Sequence, residues 1–461
     1  MTQTSAITRL ESEPIGRLLA QYAFPAIVSM VIISLYNICS SIFIGHGVGA
    51  LALSGLAVTF PFMLLVLGVC MLTAIGGATV CSIELGAGNP ERAAQVLGHS
   101  VILSVLFATI FAAVGLVFID PILYLFGASG ETIAYAREYM WVILWGAPIG
   151  NLMLALNHFL RASGYPRKSM IFSLLSVGSN IALTPLFIFV FHWGMAGAGY
   201  ATILSQVFGL VLLFCHFRDP AHTVHFAPGI FRLQRSVAAS VLSVGMSPFL
   251  MNCSACLIVM VINLRMSAYG GDLAIGAYGI VNRLLMLFVM IIMGLAQGMQ
   301  PLIGYNFGAR RMDRVHRTLR LGLIAGTVVT SVGFLASQFF PAMLARLFTD
   351  HPDLIAMSVT GLRLSTILFM FVGGQIVITG YFQSMGQAFI AIFLSLSRQL
   401  VFLLPGLIFL PCVMGLEGVW VSLPLADAIA VVVTLYILRR SFRAVPVTDP
   451  GASLTDRGNQ R

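Results

Sequence analysis

The chain has 461 residues, 59% of them hydrophobic and only 9% charged, with a mean hydropathy of +0.97 and a formal net charge of +9. A single soluble core cannot hide that much apolar surface, so most of it must face lipid, which excludes a soluble enzyme. The net positive charge is explained by membrane topology and contact with anionic lipid headgroups, without a nucleic-acid partner.

After 16 mostly polar residues, twelve apolar runs follow in order: 17–44, 52–84, 95–118, 133–157, 166–191, 196–217, 238–264, 273–303, 318–340, 353–379, 387–410 and 415–438. Each is about as long as a helix needs to cross ~30 Å of hydrocarbon, and all are too continuously apolar to alternate as barrel strands. The first run is too long for the core of a cleavable signal and is expected to stay as an anchor. The predicted organisation is a tail (1–16), a six-helix lobe (17–217), a linker (218–237), a second six-helix lobe (238–440) and a tail (441–461) that reads as disordered from 444 onward. The linker mixes Phe226, Ile230, Phe231 and Leu233 with Arg232 and Arg235, as a connector lying on a bilayer surface would. The seven cysteines fall mostly inside the runs, so Cys253 and Cys256, although spaced as CxxC, are read as packing.

The second lobe repeats the first. Pro25 recurs as Pro248, Leu51-Ala52 as Leu273-Ala274, Gly86-Ala87 as Gly308-Ala309, and Gly194 with Gly197 as Gly415 with Gly418, all at a shift of 221 to 223 residues. Gly and Pro at fixed offsets mark fixed backbone geometry, so the halves should share one fold. Six crossings per half return each half to the same side, which makes them parallel repeats with a site expected between them. Of the 25 Lys and Arg residues, all but Arg137, Arg265, Arg283, Arg346, Arg363 and Arg398 fall in tails and connections on the side of the two termini. That bias predicts cytoplasmic termini.

No GxxxxGK loop, no HExxH and no convergent Ser, His and Asp set is present, so neither an enzyme nor a metal site is expected. Without a nucleotide site, any pumping must draw on an ion gradient. Charges inside spans are then the natural functional candidates, because each is costly in lipid. Arg398 and Asp427 lie equally far from the turn joining the last two runs, roughly 20 Å deep at 1.5 Å per residue, and are expected to pair. Arg283 is the other mid-span charge. Gln206, Gln297, Gln300, Gln375 and Gln399 could orient a ligand in a cavity, and Met290 and Met293 belong to a Met- and Phe-rich stretch suited to a promiscuous apolar pocket.

The stretches LYNICSSIFIGHGVGALALSGLA, LGAGNPERA, NIALTPLFIF, GMAGAGYATILSQ, QPLIGYNFGARR, YFQSMGQ, SLSRQLVFLLP and GVWVSLPLAD resemble the multidrug and toxic compound extrusion (MATE) family, and its bacterial multidrug-export branch in particular, over about 15–440. The resemblance implies twelve helices in two six-helix lobes around a V-shaped cavity. It also implies a monomeric, multi-pass bacterial inner-membrane antiporter that exports amphipathic organic cations against inward H⁺ or Na⁺, with membrane lipids as its surroundings and no other cofactor. One departure matters. Relatives carry an Asp in the first helix where this chain has Ser40 and another in the fifth where it has Thr184, while Asn180 and Thr202 are retained. A pocket of Ser40, Asn180, Thr184 and Thr202 lacks a carboxylate to carry a proton and offers weak Na⁺ ligands. The repeat sharpens the contrast: Arg398 aligns with Ser176 and Asp427 with Gln206, so the buried charge belongs to the second lobe alone and the coupling role is expected there. Two other readings remain: a flippase for lipid-linked or polar-headed substrates on the same two-lobed plan, and a non-transporting receptor or scaffold.

Overall fold

In the computed structural model, which describes residues 9–444 apart from Pro228, the chain is helical and contains no strand among the described residues. The first lobe comprises α1 (Ile15–Gly47), α2 (Ala50–Gly86), α3 (Pro90–Val117), α4 (Ile133–Ala162), α5 (Pro166–Pro185, continued by a wide π turn at Leu186–Val190) and α6 (Gly194–Arg218). The second comprises α7 (Arg235–Gly271), α8 (Leu273–Gly308), α9 (Met312–Phe339), α10 (Pro352–Ser365 and Phe369–Ser384), α11 (Ala388–Met414) and α12 (Leu416–Ala444). Short helices, Ile119–Leu125 and Pro341–Arg346, follow α3 and α9 at equivalent places in the repeat. The expected disordered tail falls on residues outside the described ones.

Sequence chemistry sets these ends. Pro90, Pro166 and Pro352 open α3, α5 and α10, where a missing N–H costs nothing. Gly194 and Gly415, repeat partners, turn the chain into α6 and α12 with φ of 53° and 60°, a region that an L side chain enters only with strain.

Eleven helices are long and apolar enough to span a membrane, and α10 makes a twelfth in two pieces bent by 56°. The sequence reads this run as unbroken, and the reason it breaks lies in a neighbour. Gln338 of α9 donates its amide to the Arg363 carbonyl at 2.8 Å and to Thr366 Oγ1 at 3.0 Å, while Thr366 Oγ1 bonds the Leu362 carbonyl at 2.7 Å. Side chains thereby take over backbone groups that the broken helix releases, which is what permits a break at membrane depth.

The helices alternate direction, so both lobes have a terminal end, where the chain starts and finishes, and a far end. One continuous core joins the lobes toward the terminal end, running from Leu18 and Leu97 through Phe159 to Leu302, Val315 and Phe382. Toward the far end the core divides. Met266, Ala277, Leu407 and Trp420 belong to a cluster confined to the second lobe, and Phe62, Leu123, Met140 and Ile44 to clusters confined to the first. The lobes therefore meet at the terminal end and diverge beyond it as a V.

Glycines make the seam. A Cβ on Gly245 of α7 would overlap the Leu72 carbonyl of α2, and one on Gly76 the Val241 carbonyl. The same crossing recurs 222 residues on, where Gly298 of α8 lies against Ala23 of α1 (2.5 Å to its Cα) and Gly294 against Ile27 (2.6 Å). At the base, α2 crosses its own repeat partner α8: Gly86 sits under the Tyr305 carbonyl and Gly308 under that of Ile83. Only glycine lets helix backbones approach this closely.

Candidate functional site

The arms of the V enclose a cleft, and four groups of polar residues surround it. In the second lobe Arg398 donates Nε–H to Asp427 Oδ1 at 2.7 Å. Asp427 is 5% exposed, and it is the one buried carboxylate among the described residues. The Arg398 side chain is 29% exposed and spends only Nε on this bond. It sits in a π turn, Ser397–Leu403, that has no counterpart at the equivalent place in α5, and such wide turns re-aim side chains and concentrate at functional sites. Gln399 beside it has a buried Oε1 without a protein partner, as does Gln375 of α10.

In the first lobe the four sequence-selected residues converge with three more. Asn180 Nδ2 donates to Thr202 Oγ1 and Ser205 Oγ, both at 3.2 Å, and Thr184 Oγ1 donates to Asn180 Oδ1 at 2.9 Å. The Tyr36 hydroxyl shares a bond with Thr202 at 3.2 Å, and the Asn180 and Ser40 side chains also reach it. Ser176 bonds the Ser205 carbonyl at 2.8 Å. The pocket contains no charge. Tyr36, Ser205 and Ser176 escaped the sequence reading, although Tyr36 lies one turn from Ser40 on α1 and that spacing could have flagged it.

At the base, hydrogen bonds cross the seam. Arg161 of α4, 5% exposed, donates Nη1–H to Gln297 Oε1 of α8 at 2.8 Å. Gln300 donates to Thr79 Oγ1 at 2.6 Å and to the Ile75 carbonyl at 3.2 Å, both on α2. Gln297 and Gln300, selected from the sequence as cavity residues, thus join the lobes in this conformer. Arg161, read from the sequence as one of the interfacial charges, is buried between the lobes with an amide in place of a carboxylate. Nearer the terminal end, Arg314 donates to the Leu10 and Glu13 carbonyls, both at 2.9 Å, and Arg311 pairs with Glu11 at 2.7 Å.

Arg283 of α8 is exposed and makes no ion pair with a described side chain. Asp427, which it could have shared, is held by Arg398. Met290 and Met293 are half-buried on the same helix, and Gln206 is half-buried on α6, near Gly150 of α4.

The linker closes over the terminal end of the first lobe. Its Ile230 carbonyl lies against Gly98, and its Gln234 N–H donates to His99 Nε2 at 2.7 Å while His99 Nδ1 meets the Gln95 carbonyl at 2.7 Å. His222 stacks on His216 with centroids 3.9 Å apart and bonds the Tyr165 hydroxyl at 3.1 Å. Burial, reinforced by Lys168, lowers the His222 pKa.

The MatE family model matches residues 25–186 and 248–408, one copy in each lobe. The chain belongs to the MatE family of transporters. Among relatives, the multidrug export protein MepA of Staphylococcus aureus (strain MSSA476) is 29% identical over 432 residues, covering 93% of this chain and 95% of that protein. MepA of Staphylococcus haemolyticus is 28% identical over 428 residues, covering 93% and 94%. The MATE multidrug transporter DinF-BH, solved in complex with rhodamine 6G, is 33% identical with a TM-score of 0.87, covering 93% of this chain and 96% of its own. A multidrug resistance MATE transporter solved in an outward-facing conformation shares the fold at a TM-score of 0.89 with 24% identity, covering 96% and 99%. The chain is accordingly a multi-pass membrane transporter of the multidrug-efflux type with the two-lobed MATE fold.

Proposed function

We propose that this MATE transporter exports amphipathic organic ions in exchange for H⁺ or Na⁺ by rocking its lobes between two conformers, one open at the far end and the other at the terminal end. The excess of Lys and Arg at the terminal end supports placing that end in the cytoplasm, so the conformer described here is the outward-open one. The two lobes, tied only at the terminal end, are the basis for the rocking motion, and organic cations, which the family resemblance implies, are the first substrates to test.

The observation that carries the coupling proposal is the Arg398–Asp427 pair: the first-lobe pocket has no carboxylate, and Asp427 is the buried one. In the cycle, a proton or a cation takes Arg398's place on Asp427 when the cleft faces the coupling ion, and Arg398 reclaims it after release. Ion exchange at a pair differs from a static bridge in what substitution does. Flux of ethidium into proteoliposomes, driven separately by imposed H⁺ and Na⁺ gradients, should be lost in Asp427→Asn while the protein stays folded. Unchanged coupling in that variant would remove Asp427 from the role, and no ethidium flux under either gradient would turn the reading toward a flippase.

A further inference from the structure

The cleft carries a charge that nothing in the structure balances. Away from their first and last two turns, the four helices that form the seam, α1, α2, α7 and α8, hold one charged residue, Arg283. Gly294 and Gly298 mark the face of α8 that turns toward the first lobe, since a Cβ at either would meet α1. Arg283 lies three turns from Gly294 on that same face, because eleven residues at 3.6 per turn bring the helix back almost to its starting direction. It is therefore beyond the closed seam, where the lobes have parted, and it is exposed there.

The opposite arm offers no anion: the pocket of Ser40, Asn180, Thr184 and Thr202 is neutral, with its hydroxyls and amide bonded to one another. Within its own arm, Asp427 is engaged by Arg398, whose two Nη groups are free to donate. A guanidinium at mid-span depth is costly and is kept where a partner meets it. It repels a simple cation and matches a carboxylate with two parallel hydrogen bonds.

We propose that the cleft selects amphipathic molecules that carry an anionic group, a carboxylate above all, and that Arg283 binds that group. This rests on the exporter reading above and narrows its substrate class from plain organic cations to zwitterionic or carboxylate-bearing ones. The half-buried Met290 and Met293 on the same helix supply adaptable apolar contact for the body of such a molecule.

A matched dye pair tests it: rhodamine 6G, an ethyl ester with a net positive charge, and rhodamine 19, its free acid. In proteoliposomes the wild type should export the acid in preference to the ester, and Arg283→Gln should lower the acid-to-ester ratio at least tenfold by slowing the acid and sparing or speeding the ester. Adding Leu287→Arg to Arg283→Gln returns a guanidinium one turn away on the same face and should restore part of the preference. A wild type that prefers the ester overturns the proposal, as does an unchanged ratio in Arg283→Gln, and in both cases the exporter reading stands. Export of neither dye by the wild type overturns the exporter reading and this one with it.

Discussion

Gly245→Ala places a methyl group where α7 meets the Leu72 carbonyl of α2. The added atom meets backbone on the other side, where no side chain can swing clear, so α2 and α7 must separate or the lobes must rotate. Overpacking of this kind costs about 1–3 kcal/mol. The strain applies only while the terminal end is closed, because opening that end parts the two helices. The substitution therefore acts on the balance between conformers, and 1–3 kcal/mol corresponds to a shift of about 5- to 150-fold away from the form with the far end open. Spin labels at Ser129 and His351, on far-end loops of opposite lobes, report the change as a shorter component in the distance distribution by double electron–electron resonance. Gly178→Ala is the control, since a Cβ there meets nothing within 4 Å. A Gly245→Ala protein that is folded yet keeps the wild-type distribution would refute the claim that this crossing holds the terminal end shut.

Gln297→Leu leaves the Arg161 guanidinium buried without its acceptor and should cost more thermal stability in detergent than Arg161→Met combined with Gln297→Leu; equal losses would show that Arg161 finds another partner. Asp427→Leu alone strands Arg398 and should destabilise by about 3 kcal/mol, with Arg398→Met in the same protein recovering most of it, as double-mutant unfolding curves would reveal. His222, whose pKa is lowered, binds its proton more readily once unfolded, so its contribution is full above the ordinary value of about 6.5 and falls as pH drops below that toward the folded value. Hydrogen exchange across the linker should therefore quicken on acidification, and His222→Gln should flatten the dependence; a wild-type linker protected equally at pH 7 and pH 5 would contradict it.

The seam was legible because its geometry demands glycine. Gly86 and Gly308 stand out in the sequence at one shift, and in the fold they are the two sides of one backbone crossing. Arg398 and Asp427 could be brought together from their equal distance to a tight turn, since antiparallel helices share depth. The break in α10 could not be read, because residues 366–368 contain neither Pro nor Gly and the break is upheld by Gln338 of another helix. Arg161 misled for a related reason. A charge within the last turn of a span reads as interfacial, and only the packing of α4 against α8 shows that it is enclosed. The closed end of the V was likewise invisible, as it depends on which parts of α2, α7 and α8 touch.

The crossing of α2 with α8 stands apart from every other contact between the lobes. At Gly76 and Gly245 the repeat supplies a second, separate copy at Gly298 and Ala23, so each copy can change while the other is kept. At Gly86 and Gly308 each half meets its own counterpart, so there is a single copy, and it lies on the axis that relates the halves. A duplicated chain can specialise its two arms, as the lone Arg398–Asp427 pair and the lone Arg283 attest, yet the hinge on which both arms turn has no spare.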